Sequence, residues 1–344
     1  MILWPNSRVC LAVPKSGIKE LRPWLVWLAG FYAVWISIVF VGSHWQVLAE
    51  HWGIALAMAI GSYAAGSTPM GGGTVGFPVL VLLFGEAPAL GRDFSFAIQS
   101  IGMTSATLFI LCRRQPIEWP ILRWAVLGSA IGTPVGVLIL APLVSGLFIK
   151  VLFAVVWCSF GVLHLYRLKE IVRHKDLAPG AHRFDRNAGF LVGLWAGATV
   201  SSITGVGVDM VLYTVLVCLC QADLKIAIPT SVIIMTFTSL FGLVTKTLSG
   251  SLQPGVFANW LAAAPVVILG APLGAFIVNR IGRTSTLLVV SILCVGQFLW
   301  TLQNEWAALG ILGAGMALAG VLLFNLGFEY LHRVGGRFDR RKQR

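Results

Sequence analysis

The sequence predicts an all-α polytopic membrane protein with about eight transmembrane helices and two re-entrant hairpins in an inverted internal repeat. Three observations predict this fold: the composition, the lengths of the apolar segments, and a glycine pattern that recurs in both halves. Of the 344 residues, 57% are hydrophobic and only 11% are charged, whereas soluble domains carry about 25% charged residues. A soluble fold cannot bury this much hydrocarbon behind so few charges. The composition therefore excludes ordinary cytosolic enzymes and disordered chains.

Eight apolar segments are each long enough for one crossing, because a bilayer core needs about 20 apolar residues per helix. A basic stretch precedes the first of them, and no small-residue cleavage site follows it, so we expect an uncleaved first helix rather than a signal peptide. The eight segments lie at roughly 24–42, 94–112, 120–142, 148–166, 226–245, 255–278, 284–301 and 306–330.

Two further segments, 53–84 and 188–219, are each 32 residues long and broken at the centre by small residues. Each is compatible with one long kinked helix or with two half-helices forming a hairpin. Cytoplasmic loops collect Lys and Arg, and two hairpins place 22 of the 25 basic residues inside, against 15 if both segments cross. We therefore predict hairpins, with both termini and the 167–186 loop on the cytoplasmic side of a plasma (inner) membrane.

The two halves share a sequence pattern and have opposite predicted orientation. The stretch Gly132–Gly136 recurs as Gly270–Gly274, and the glycines at 71 and 73 align with those at 205 and 207. Three crossings follow each hairpin, and this odd number inverts the second half. The predicted organisation is a cytoplasmic N-terminus and first helix (1–52), repeat 1 (53–166), a basic cytoplasmic loop (167–187), repeat 2 (188–302), and a last helix with a basic cytoplasmic tail (303–344).

Three stretches carry a resemblance to a known family: the run Ser67–Gly73, the basic turn Arg113-Arg114, and Gly132–Gly136 with its second-half echo. On these residues the chain resembles the TauE/SafE family of sulfite exporters and related anion permeases over roughly 53–302. The resemblance implies a secondary transporter of a small sulfur oxyanion or organosulfonate. The central break of the second segment departs from the family pattern, because Gly-Val-Gly-Val-Asp (205–209) stands where a denser glycine run is expected.

The two broken helices predict a substrate site near the midplane, as inverted repeats with paired breaks do in secondary transporters. Glycines at a break free backbone N–H groups, and the start of a half-helix favours an anion. The alternative is that glycines only let helices pack closely, which is the expected role of Gly132, Gly136, Gly270 and Gly274. The predicted substrate-binding residues are Ser67, Thr68, Gly71, Gly72, Gly73, Ser100, Ser201, Ser202, Thr204, Gly205, Gly207 and Thr230.

Asp209 is the only acid placed well inside a predicted hairpin, just past the second tip. Ionisable groups inside a membrane are costly and usually functional. Two roles fit this position: uptake of a coupling proton, or capping of the broken helix. Gln99 and Ser100, on one predicted span, either line the path or form hydrogen bonds between helices.

Other function classes lack their motifs. The histidines and cysteines show no metal-ligand spacing, and the chain has neither a phosphate-binding loop nor a serine-hydrolase elbow. We therefore expect no enzyme activity, no cofactor and no bound metal. The basic residues lie between apolar runs rather than on one face, which argues against nucleic-acid binding. The expected partners are a small anion, the lipid bilayer and a coupling proton, with a non-transporting scaffold or a carrier of another small solute as alternatives.

Overall fold

The computed structural model describes residues 18–172, 182–281 and 283–342. Within these ranges every regular element is a helix, and eight helices are long and apolar enough to cross a membrane. The protein is an all-α polytopic membrane protein, so the predicted fold class is confirmed. The eight spans are Lys19–Val41, Pro88–Cys112, Trp119–Leu143, Gly146–Leu168, Leu224–Leu248, Val256–Ile277, Thr284–Asn304 and Trp306–Gly335.

The helices follow one another through short connections. Four of them continue directly into π-helical turns, at Val79–Leu83, Gly136–Leu140, Gly197–Ser201 and Val215–Leu219. In chain order the α-helices are α1 (Arg22–Val41), α2 (Trp45–Glu50), α3 (Trp52–Ser67), α4 (Gly73–Pro78), α5 (Pro88–Cys112), α6 (Trp119–Val135), α7 (Gly146–Ile171), α8 (His182–Ala196), α9 (Ser202–Thr204), α10 (Val208–Thr214), α11 (Leu224–Leu248), α12 (Val256–Ile281), α13 (Arg283–Asn304) and α14 (Trp306–Lys342).

The two arms of the first broken segment contact each other along their length. A Cβ atom built on Gly61 of α3 would lie 2.8 Å from the Val75 Cβ, and one built on Gly53 would lie 3.1 Å from the Phe84 ring. Gly61 and Val75 lie near the break, on either side of it, and Gly53 and Phe84 lie farther from it. Hence α3 and the arm that begins with α4 run side by side in opposite directions. In the second half, α10 also contacts α8, and a second hairpin there stays a prediction. The side of a membrane from which each arm pair enters stays a prediction.

The first arm of each half packs on a helix of the other half. The first arm of repeat 1, α3, packs along α12, and the first arm of repeat 2, α8, packs along α6. A Cβ on Gly66 would lie 1.7 Å from the Ala271 carbonyl oxygen, and one on Gly193 would lie 1.9 Å from the Ala125 carbonyl oxygen. The backbones therefore touch at both crossings, and only glycine fits there.

The same close approach explains the recurring glycine pairs. A Cβ on Gly132 would lie 2.1 Å from the Leu194 carbonyl oxygen, and one on Gly274 would lie 2.3 Å from the Tyr63 carbonyl oxygen. The expected packing role of these glycines is confirmed.

The remaining contacts repeat in the two halves. At the centre, α5 packs against α11, while α5 also packs on α12 and α11 on α6. The third helices of the halves, α7 and α13, pack against each other. Equivalent helices of the two halves therefore pack on each other, and α4 and α9, beside the two breaks, both contact α5. The inverted orientation of the halves stays a prediction.

Candidate substrate site between the hairpin tips

The two breaks meet in the protein interior. We call Ser67–Gly73 tip 1 and Ser201–Asp209 tip 2. A Cβ on Gly71 would lie 3.1 Å from Asp209 Oδ2, and one on Gly73 would lie 2.4 Å from a methyl carbon of Val206. The tips are in direct contact.

Tip 2 has its backbone N–H groups occupied by neighbouring side chains. The Gly207 and Met210 N–H groups donate to Asp209 Oδ1 at 3.2 and 3.0 Å, and the Val208 N–H donates to Ser201 Oγ at 3.0 Å. One oxygen of Asp209 therefore holds the start of α10, as the capping alternative proposed. Tip 2 has no spare donor at these three positions.

Tip 1 is bonded differently. Among the described residues, the N–H groups of Met70, Gly72 and Gly73 have no hydrogen-bond partner. The start of α4 is held from the side, because Trp157 Nε1 donates to Thr74 Oγ1 at 2.9 Å and the Thr74 hydroxyl donates to the Met70 carbonyl. Unpaired N–H groups at the start of a helix form a positive end that suits an anion.

Gln99 connects α5 to tip 2. Its Nε2 donates to the Ser95 carbonyl at 2.9 Å and to the Gly205 carbonyl at 3.2 Å. Its Oε1 is buried without a partner, and so is Oδ2 of Asp209. Both oxygens face Gly71, at 2.3 and 3.1 Å from its Cβ position. Two buried acceptors without a donor are costly, so this place favours an added O–H group.

The predicted hydroxyl groups serve their own helices in this conformation. Ser201 accepts the Val208 N–H as described, and Thr230 also accepts the Glu118 N–H at 3.0 Å, at the start of α6 rather than at a tip. Thr230 donates to the Ile226 carbonyl. The other hydroxyls have a carbonyl three or four residues earlier within donor distance: Tyr63 for Ser67, Ala64 for Thr68, Ala97 for Ser100, Ala198 for Ser202 and Val200 for Thr204. Thr204 Oγ1 also accepts the Val206 N–H at 3.4 Å.

A buried ion cluster beside tip 2 was missed by sequence reasoning. Arg92 Nε lies 2.8 Å from Asp93 Oδ1, and Lys246 Nζ lies 3.5 Å from the same oxygen. Arg92 and Lys246 are two of the three basic residues that the hairpin topology predicts outside, but α5 begins at Pro88, earlier than the predicted span. Asp209 is therefore not the only interior acid, since Asp93 is fully buried. The adjacent Arg-Asp pair just before an apolar run was the available signal.

Residues 53–299 match the family described as Sulfite exporter TauE/SafE. The chain belongs to the TauE/SafE family. The match covers both tips and both glycine crossings, whereas α1 and α14 lie outside it. TauE/SafE proteins are membrane transporters of sulfite and other anions, which agrees with the expectation that this chain is not an enzyme. No curated protein and no solved structure matches the chain.

Proposed function

We propose that this TauE/SafE protein is a secondary carrier that binds one small oxyanion together with one proton between its two tips. The substrate class is sulfite, a related sulfur oxyanion or an organosulfonate. The observation that carries the proposal is the meeting of unpaired N–H donors of tip 1 with two unpaired buried oxygens around Gly71. In the proposed orientation both termini lie in the cytoplasm and the protein sits in the plasma membrane.

In this proposal tip 1 binds the anion. The N–H groups of Gly72 and Gly73, at the start of α4, donate to the oxyanion, and Gly71 lets the chain approach it closely. The hydroxyls of Ser67, Thr68 and the neighbouring Ser100 join them once the tips part. Hydrogen bonds to a charged group contribute about 1.5 to 3 kcal/mol each, so a few such donors provide useful affinity without a basic side chain.

Tip 2 supplies the proton site in this proposal. Ser201, Ser202 and Thr204 support the tip, and Gly205 and Gly207 give it its shape. An ionised Asp209 about 4 Å from a bound anion would be repelled by about 4 kcal/mol at an effective dielectric constant near 20. A proton on Oδ2 removes this repulsion, and the resulting O–H group donates to Gln99 Oε1. Anion and proton therefore bind together, while Oδ1 continues to hold the start of α10.

Sulfite flux into proteoliposomes tests the proposal, with two substitutions of Gly72 as a matched pair. Gly72 has φ −70°, an angle that alanine and proline both adopt, and the nearest atom to its Cβ position is 3.4 Å away, so the Cβ that both substitutions add has room. Only Gly72→Pro removes the N–H donor. Losing one charge-assisted hydrogen bond predicts an affinity about tenfold lower or worse for Gly72→Pro, with near-normal affinity for Gly72→Ala.

Two results would contradict the proposal. Equal sulfite affinity in Gly72→Pro and Gly72→Ala would remove tip 1 as the anion-binding element. Absence of flux of sulfite, sulfate and methanesulfonate through correctly inserted wild-type protein would favour a scaffold or a carrier of another solute.

A further inference from the structure

The buried ions beside tip 2 carry more positive than negative charge. We call Arg92, Asp93 and Lys246 the Arg92 cluster. Their exposed fractions are 4%, 0% and 4%, and two cations share one carboxylate, so the formal charge of the cluster is +1. Ionisable residues inside membrane proteins usually mark a substrate or ion pathway.

The Asp93 carboxylate is fully occupied. Its Oδ1 binds Arg92 Nε and Lys246 Nζ, and its Oδ2 accepts the Gln253 N–H at 3.1 Å. Within the described ranges, Lys246 Nζ makes one further bond, at 3.4 Å to the Ser251 carbonyl. The carboxylate therefore holds the cluster together but leaves one positive charge without a counterpart.

Arg92 presents a free guanidinium fork. Within the described part of the chain, its hydrogen bond to Asp93 uses Nε, and its two Nη nitrogens donate to no protein atom. The Arg92 side chain keeps 5% of its surface accessible, and its Nη nitrogens are not among the fully buried unpaired atoms of the described residues. Such a fork matches two oxygens of an oxyanion at once.

The Arg92 cluster adjoins the place where the two tips contact each other. The Arg92 carbonyl oxygen lies 2.3 Å from the Cβ position of Gly205, and Ser95 touches both Gly205 and Gly73. Arg92, Ser95 and Gln99 stand at positions i, i+3 and i+7, which lie on one face of a helix. Seven residues of α-helix span about 10 Å, so this face of α5 leads from the cluster to Gln99.

We propose that the Arg92 cluster is a second oxyanion site, separate from the site between the tips. The Nη fork binds two oxygens of a sulfur oxyanion and Lys246 Nζ approaches a third. In the predicted orientation it lies toward the outer end of the path, where it holds an anion about two helical turns along α5 from Gln99. The site stands on the contacts of Arg92 and goes beyond the proposed tip site.

Binding stoichiometry of radiolabelled sulfite to the purified full chain tests this proposal. Arg92→Gln removes the fork, while Asp93 keeps Lys246 and the Gln253 N–H, so the variant is expected to fold. Wild-type protein should bind two anions per chain, Arg92→Gln one, and Gly72→Pro one. Arg92→Lys keeps the charge without the fork and should bind at the second site about tenfold more weakly. Lys150→Gln breaks a distant ion pair with Glu305 and should keep both sites.

The outcomes separate the two proposals. Loss of one site in Arg92→Gln, with a normal thermal midpoint, supports the second site whatever Gly72→Pro does. A single wild-type site that survives Arg92→Gln and is lost in Gly72→Pro overturns the second site and leaves the proposed function intact. A single site lost only in Arg92→Gln removes the tip site instead, and no binding in any protein overturns both.

Discussion

The two tips occupy corresponding places in the two halves but use their hydrogen bonds differently. In tip 2, Ser201 and Asp209 turn their oxygens toward backbone N–H groups and satisfy them. In tip 1, the hydroxyls of Ser67 and Thr68 donate backwards to carbonyls of α3, which leaves the N–H of Gly72 unpaired. Tip 2 is therefore the fixed tip, because side-chain oxygens, including the Asp209 carboxylate, bind its backbone N–H groups. Tip 1 is the tip whose backbone N–H groups remain available as donors.

The largest difference is expected from alanine at the two positive-φ glycines. Gly71 and Gly205 have φ of +64° and +81°, so alanine is strained at both. At Gly205 the new Cβ meets the Arg92 backbone carbonyl at 2.3 Å, whereas at Gly71 it meets the end of the Gln99 side chain. Backbone cannot step aside, so Gly205→Ala should lower the thermal midpoint more, with about 1 to 3 kcal/mol from overpacking.

A second substitution sharpens this test. Gln99→Ala removes the atom that obstructs a side chain at Gly71, so the double variant Gly71→Ala/Gln99→Ala should be less destabilised than the sum of its single variants. The same change should not rescue Gly205→Ala. Equal rescue of both glycine variants would show that the two tips are packed alike.

The next largest difference is expected from removing the two tip serines. Ser201→Ala leaves the buried Val208 N–H without a partner, which costs about 1 to 3 kcal/mol. Ser67→Ala removes only a donor to the Tyr63 carbonyl within α3, which should cost about 0.5 kcal/mol. Thermal midpoints in one detergent measure both variants, and a loss for Ser67→Ala as large as for Ser201→Ala would contradict the assignment of tip 2 as the fixed tip.

The smallest effect on stability is expected from the substitution Asp209→Asn. In Asp209→Asn the amide oxygen still accepts the Gly207 N–H, and the amide nitrogen donates where two acceptors now face each other. The thermal midpoint should stay the same or rise. Asp209→Ala leaves the buried Gly207 and Met210 N–H groups without this partner and should cost about 1 to 3 kcal/mol. A clear loss of stability in Asp209→Asn would mean that Oδ2 already has a donor in the folded protein.

The sequence predicted what apolar length and local residue type determine. The spans follow from hydrocarbon thickness, and the breaks follow from glycine and proline clusters, so both tips and Asp209 were placed near one another. The convergence of Gln99 and Asp209 on Gly71 depends on how distant helices pack, which no spacing reveals. The adjacent Arg92 and Asp93 were a visible signal in the sequence, but the approach of Lys246, near the end of α11, to the same carboxylate depends on this distant packing.

Proton-driven flux tests the central claim most directly. Sulfite uptake is measured in proteoliposomes at one external pH, so the protonation of the external anion is constant while the internal pH is raised in steps. If the Asp209 carboxyl carries the coupled proton, wild-type uptake accelerates with the inward proton gradient. Asp209→Asn then retains uptake that no longer responds to the gradient. Equal acceleration in wild-type protein and Asp209→Asn would contradict the account.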